Sequence, residues 1–171
     1  MDLGKIIRDV KDFPKKGIVF KDITTVLKDS DAFKYAVGLM MEKYKGQEID
    51  YIVGIESRGF IFGSIIAYEL GSGFIPARKS GKLPYKTIKR EYALEYGTNA
   101  LELHVDAIEK GKKVVIVDDL LATGGTALAV CQLVEALGGD IVGVEFLIEL
   151  EFLNGRDKLK KYKVNSYVKV K

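Results

Sequence analysis

The sequence predicts an α/β fold in which a largely parallel, twisted central sheet is flanked by helices. Three observations carry this. Short apolar runs of strand length alternate with segments of helical periodicity, the pattern of parallel sheets. The 171 residues are 47% hydrophobic and 30% charged, enough for one domain with a real core. The stretch VVIVDDLLATGGT, Val114 to Thr126, runs from a buried strand through two aspartates and a glycine-bearing loop into a helix. Open α/β sheets bind their ligands at such strand ends.

Taken in order, Asp2 to Asp12 predicts a short amphipathic helix, because Leu3, Ile6, Ile7 and Val10 sit at helical spacing. Phe13-Pro14 ends it. Gly17 to Phe20 reads as a short extended piece. Ser30 is the expected N-cap of a helix that carries Phe33, Val37, Met40 and Tyr44 on one face. Tyr51 to Ile55 predicts a strand, and GFIFGSIIAYEL a helix apolar nearly all round and therefore buried. Gly73 to Ala77 predicts the next strand. In the charged segment that follows, Lys89 to Glu95 and Ala100 to His104 are expected to pair as a hairpin across Tyr96-Gly97-Thr98-Asn99. Val114 to Val117 is a strand and Thr126 to Leu137 a helix stopped by Gly138-Gly139. Ile141 to Leu150 and Ser166 to Val170 close the set, separated by the basic run RDKLKKYK. No internal repeat or domain boundary stands out.

Net charge is +3, too weak to imply nucleic-acid binding but suited to a small polyanion. The single cysteine, Cys131, rules out an internal disulfide and a Cys-rich metal site and reads as a small core residue. The single histidine, His104, supports neither a His-based metal cluster nor a Ser-His-Asp triad, and reads as structural or surface. The first residues lack the apolar core of a signal peptide, and no run approaches a membrane span. The expectation is a cytoplasmic protein with no membrane or nucleic-acid partner.

Gly124 and Gly125 let the backbone turn tightly and approach a ligand. The N–H groups that open the following helix are unpaired and carry the positive end of its dipole. With the Thr123 and Thr126 hydroxyls they form a phosphate cup over Ala122 to Thr126. The loop lacks both the Gly-Lys-Ser/Thr ending of a Walker loop and the dinucleotide G-x-G-x-x-G pattern. Asp118 and Asp119 would repel a phosphate, so they should face vicinal hydroxyls, for which a ribose is the natural partner. Separately, these features are also those of an exposed acidic strand end and a capped helix.

VVIVDDLLATGGT resembles the phosphoribosyl-pyrophosphate (PRPP) signature of the type I phosphoribosyltransferases, and its LLATGGT form that of the adenine phosphoribosyltransferase family. The resemblance extends over roughly residues 13 to 160. It implies a phosphoribosyltransferase-like fold with a small N-terminal base-binding hood, about 1–30, and a mobile hairpin loop. The PRPP-binding core would span about 31–150 and a C-terminal strand region about 151–171, all in one domain, 1–171.

FPKKGIVFKDIT resembles the family's base-recognition segment, which implies adenine stacked on Phe20 opposite Leu120, with backbone groups of Val19 and Lys21 reading its edge. Many members carry Arg where this chain has Lys21. Without the resemblance, Phe20 reads rather as a plain core aromatic. GIESRGFIFG resembles the pyrophosphate loop, with Glu56, Ser57 and Arg58 at the ligand and a strained or cis Glu56-Ser57 bond. Elsewhere, such an arginine is usually just exposed. RKSGKLPYKT carries four bases and no acids; on its own it is a solvated loop, but beside a pyrophosphate it is an electrostatic clamp of Arg78, Lys79 and Lys82. The resemblance lets Arg78 reach a neighbouring subunit in a homodimer. ALEYGTNALELH resembles the catalytic loop, implying that Glu95 acts on a base ring nitrogen and Tyr96 helps close the site. From composition, Glu95 stands no higher than Glu91 or Glu102.

The implied reaction joins adenine to PRPP, giving AMP and pyrophosphate through an oxocarbenium-like transition state. Mg²⁺ is expected on substrate oxygens and water, with no direct protein ligand. A 6-oxopurine substrate and a non-catalytic nucleotide sensor remain as alternatives; the retained LEYG and the lack of room for a DNA-binding domain favour the enzyme.

Overall fold

A computed structural model describes residues 1–93 and 98–171. Its main sheet has seven strands: β3 (Tyr51–Ile55), β4 (Gly73–Lys79), β5 (Thr87–Ala93), β6 (Thr98–His104), β7 (Lys113–Leu121), β8 (Asp140–Leu150) and β9 (Val164–Val170). They lie in the order β5-β6-β4-β3-β7-β8-β9. The pairs β3–β4, β3–β7, β7–β8 and β8–β9 are parallel. β4–β6 and β5–β6 are antiparallel. The expected largely parallel sheet is therefore present, extended at one edge by the expected hairpin.

The central strands alternate between two cores, because successive side chains point to opposite faces. Ile52, Val115, Val117 and Leu147 pack beneath α2 (Ser30–Met41) and α3 (Arg58–Leu70) with Val37, Met40, Phe62 and Ile66. Val53, Ile55, Ile116 and Phe146 face α4 (Gly125–Ala136) with Val130, Leu133 and Val134. Strand order reverses between β3 and β7, from which the chain winds outward on either side. The crevice beyond their carboxyl ends is the standard ligand position of such a sheet. A methyl group at Gly59 would lie 2.6 Å from the Val117 carbonyl oxygen, so only glycine lets the start of α3 press against β7 there.

The N-terminus differs from the expected helix. Leu3–Lys5 forms one 3-10 turn, and Arg8–Lys11 (β1) then pairs antiparallel with Val19–Asp22 (β2). Leu3 and Ile7 are buried as the periodicity implied, but β2 supplies the partner strand that local spacing cannot reveal. A four-residue α1 (Thr24–Leu27) follows. The cap of α2 is Asp29, whose carboxylate accepts from the Asp31 and Ala32 N–H groups at 3.0 Å; Ser30 is the first helical residue. α3 is not buried all round, since Tyr68 is 85% exposed and Ile61 lies at the surface. β5 pairs with β6 with Ala93 opposite Thr98, so Thr98 and Asn99, expected in the connection, belong to β6. The basic run is more than a solvated face: Gly155–Leu159 is a 3-10 helix with Leu159 fully buried.

At the far side of β8, the fully buried Glu145 ties three elements together. It accepts from Lys43 Nζ at 3.1 Å, Tyr44 OH at 2.5 Å, Asn165 Nδ2 at 2.8 Å and Tyr167 OH at 2.8 Å. An added Cβ at Gly143 would overlap the Tyr44 hydroxyl, so glycine leaves that hydroxyl its path to Glu145.

Candidate active site

Because β3, β4, β7 and β8 run parallel, the segments after them emerge at one edge of the sheet. Those segments are Glu56–Ser57, Ser80–Lys82 with Arg78 and Lys79 at the end of β4 just before it, Ala122–Gly124 and the turn at Asn154–Gly155. Segments distant in sequence are thus gathered by topology.

β7 runs two turns of pleat further than the apolar run alone suggested, to Leu121, and so contains both aspartates. Asp119 is 3% exposed, and its backbone N–H donates to Asp118 Oδ1 at 2.9 Å. Burial, and then the neighbouring Asp119 charge, pushes the Asp118 carboxyl well above the usual carboxylate range. After β7 the chain turns at Gly124, φ 78°, which is also the N-cap of α4 and offers no side-chain cap. The first N–H groups of α4 therefore stay available, at the positive end of its dipole. Asp118, Leu120, Ala122, Thr123, Gly124 and Thr126 line a recess of about 70 Å³, floored by Phe146. Gly125 opens α4 directly behind it.

Arg58, the first residue of α3, donates through Nε to Asp119. Its guanidinium carbon lies 5.3 Å from the centre of the Phe20 ring, a cation–π distance. Phe20 packs edge-on against Phe13, with ring centres 5.3 Å apart. The β1–β2 ribbon is thereby joined to the sheet edge at one guanidinium. Val19 is exposed, and Lys21 pairs with Asp9 at 2.6 Å.

The Glu56–Ser57 peptide bond is cis. Glu56 accepts from Arg78 Nε at 3.1 Å, Arg78 Nη2 at 3.3 Å and the Lys79 N–H at 2.9 Å. Burial pushes its carboxyl up, but these donors outweigh burial and hold it below the usual range. Arg78 Nη1 also donates to the Lys82 carbonyl at 3.2 Å. Across the same turn, Glu102 on β6 is 6% exposed and accepts from Ser80 Oγ at 2.5 Å and the Gly81 N–H at 3.1 Å. Two carboxylates therefore shape the turn that carries Arg78, Lys79 and Lys82. Nothing local to Glu102 signals this part, because its partners lie 22 and 21 residues away in the chain. Glu95 and Tyr96 lie outside the described residues.

The phosphoribosyl transferase domain model matches residues 24–170. The chain belongs to the phosphoribosyl transferase family. Its sheet and flanking helices have the type I phosphoribosyltransferase architecture. The chain is 62% identical over 165 residues to the adenine phosphoribosyltransferase of Brachyspira hyodysenteriae, covering 96% of this chain and 97% of that protein. It is 61% identical over 169 residues to that of Acetivibrio thermocellus, covering 98% and 99%. The crystal structure of the Thermoanaerobacter pseudethanolicus adenine phosphoribosyltransferase superposes with a TM-score of 0.93 at 54% identity, over 97% of this chain and 96% of that one. The Saccharomyces cerevisiae enzyme, solved with an imino-altritol bisphosphate and adenine, gives a TM-score of 0.90 at 40% identity, covering 96% and 95%.

In this phosphoribosyl transferase domain, the described residues contain no cluster of three or more His, Cys, Asp or Glu able to hold a metal. No helix among them is long and apolar enough to cross a membrane. His104 stands beside Tyr85, ring centres 6.1 Å apart, with Nε2 enclosed and unpaired among the described residues. Cys131, on α4, is fully buried in the core that this helix shares with the sheet.

Proposed function

We propose that the chain is an adenine phosphoribosyltransferase, joining adenine to PRPP to give AMP and pyrophosphate. One observation carries the reading: a phosphate-sized recess at an uncapped helix start, lined on one side by Asp118, with Asp119 next to it near the end of β7. The full-length similarity to enzymes of that name supports it.

In this reading the 5-phosphate of PRPP occupies the cup of Ala122, Thr123, Gly124, Gly125 and Thr126, held by N–H groups and threonine hydroxyls. The ribose hydroxyls meet Asp118 and Asp119, which fixes the anomeric carbon in place. As the carbon–oxygen bond to pyrophosphate breaks, the leaving group gains negative charge. Glu56, Ser57, Arg58, Arg78, Lys79 and Lys82 lie around it, and the cations stabilise that charge. Adenine lies between Phe20 and Leu120 with its edge on the backbone at Val19 and Lys21. Glu95 serves a ring nitrogen of the base, and Tyr96 helps exclude water that would otherwise hydrolyse PRPP.

Mg²⁺ would supply further charge neutralisation on the pyrophosphate. The residues fit an ion carried by the substrate: Mg²⁺ keeps several waters and binds phosphate oxygens, and Asp118 and Asp119 would meet it only through the ribose hydroxyls they hold. It is assigned to substrate oxygens and water. The hood, core and C-terminal region act as one domain in the cytoplasm, in a homodimer across which Arg78 reaches, with no nucleic-acid or membrane partner.

The test is turnover of PRPP and Mg²⁺ with adenine, hypoxanthine, guanine and xanthine in turn, following nucleotide and pyrophosphate. AMP from adenine alone is expected. Turnover of a 6-oxopurine would overturn the base pocket, and PRPP binding without turnover of any base would make the chain a sensor.

A further inference from the structure

The phosphate cup has no side-chain cap of its own, and Gly124 holds a left-handed conformation. What lies against it is backbone. A Cβ at Gly124 would overlap the Gly155 carbonyl oxygen, and one at Gly155 would overlap the Ala122 carbonyl oxygen and come within 2.9 Å of the Gly124 nitrogen. The Asn154–Gly155 turn is therefore pressed onto the outside of the cup without room for a methyl group on either side. Asn154 itself has φ 52°.

The next residue anchors that turn. Arg156 donates through Nε to Glu149 Oε1 at 2.9 Å and through Nη2 to Glu149 Oε2 at 2.5 Å. It also donates through Nη1 to the Val164 carbonyl at 2.8 Å and through Nη2 to Ser166 Oγ at 3.0 Å. The Ser166 hydroxyl completes the set on Glu149. Glu149 sits near the end of β8 and is 5% exposed; Ser166 belongs to β9. The guanidinium thus clips the turn to two strands of the sheet, and Arg156 is not among the residues lining the recess.

We propose that Arg156 is a positioning residue for the phosphate cup, acting through Gly155, which braces Ala122 and Gly124 in the shape that receives the 5-phosphate. This rests on the phosphate reading of the cup given above. Lysine at 156 keeps the charge opposite Glu149 but cannot keep the fork and the two further bonds together.

The experiment compares the wild-type chain with Arg156→Ala, Arg156→Lys and Gly155→Ala. Steady-state kinetics are run with adenine and PRPP, ribose 5-phosphate binding is measured by calorimetry, and thermal midpoints are recorded. In Arg156→Lys and Gly155→Ala the PRPP KM and the ribose 5-phosphate Kd should rise together by about 10-fold, roughly the loss of one charge-assisted phosphate hydrogen bond. The adenine KM and the kcat at saturating PRPP should stay at wild-type values. Arg156→Ala should show the larger change and Arg156→Lys the smaller. A variant that melts earlier yet keeps wild-type PRPP KM and ribose 5-phosphate Kd would reduce Arg156 to a fold stabiliser and overturn the proposal. If the wild-type chain binds ribose 5-phosphate but turns over no base, the enzymatic reading fails while the binding comparison still judges Arg156.

Discussion

Arg58 pairs with Asp119 across the crevice between β3 and β7, while the same guanidinium faces Phe20 of the N-terminal ribbon. Asp119 is almost fully enclosed, so the arginine is its counter-charge as well as a donor aimed at the ligand edge. Arg58→Ala should lower kcat/KM for PRPP by about 100-fold or more, the usual effect of deleting a donor at developing charge. It should also lower the thermal midpoint, because a buried carboxylate loses its partner. Arg58→Lys should recover part of the stability but little of the activity, since an ammonium cannot both bond Asp119 and lie over a ring as a planar guanidinium does. Wild-type turnover in Arg58→Ala would remove this residue from the reaction.

Asp118 should be a place where function opposes stability. Burial and the Asp119 charge raise its folded pKa above the ordinary value near 3.8. A raised value means the folded state holds the proton longer than the unfolded chain does. The associated stability is present below about pH 4 and is lost as pH rises through the folded value. Asp118→Asn keeps an oxygen for the Asp119 N–H and removes the buried charge. The ligand-free variant should therefore melt higher than wild type at pH 8, by about 2–4 °C for each kcal/mol gained. The two melting points should converge at low pH, and turnover should fall. A lower melting point at pH 8 would contradict the assignment of Asp118 as a destabilised carboxylate.

The Ser80–Gly81 turn gives a contrasting case. Glu102→Ala should loosen the backbone that carries Lys79 and Lys82, raising the KM for PRPP and for pyrophosphate in the reverse reaction by about 10-fold. Ribose 5-phosphate affinity should not change, because that ligand lacks the pyrophosphate. Equal weakening of both ligands would show that the two halves of the site are not separately braced.

Glu145 should matter to folding and not to chemistry. Glu145→Leu leaves the Tyr44 and Tyr167 hydroxyls, the Asn165 amide and Lys43 without their shared acceptor. Burial and the Glu145 charge keep both tyrosines protonated well beyond neutral pH, so they act as donors throughout the working range. Loss of about 3 kcal/mol is expected, a fall in thermal midpoint of about 6–12 °C. Substrate KM values should be unchanged at a temperature where the variant is folded.

Much of this architecture can be read locally. Tyr51–Ile55 and the hydrophobic part of β7 are short apolar runs, and the glycines after α4 stop it where expected. The phosphate cup was legible because strand end, loop and helix start are contiguous in the chain. What escaped depends on partners far away. The apolar residues of the first segment fit a helix equally well, and only pairing with Val19–Asp22 makes Arg8–Lys11 a strand. Glu56, Glu102 and Glu149 look like surface acids until the fold brings Arg78, Gly81 and Arg156 to them. Arg156 sits in a run dense with lysines, where composition suggests solvent, and the buried Leu159 three residues on is the one hint otherwise.

Cys131 lies wholly inside the core, and burial pushes its thiol up to about 12. At neutral pH it is a thiol that no reagent reaches, and the chain has no tryptophan. The molecule therefore has no tryptophan emission and no accessible thiol of its own to compete with an introduced label. A cysteine introduced at exposed Lys16 of the ribbon would take a maleimide dye alone, without first replacing a native residue. A second at exposed Tyr85 would give a dye pair reporting how far the ribbon stands from the segment after the pyrophosphate turn as substrates are added.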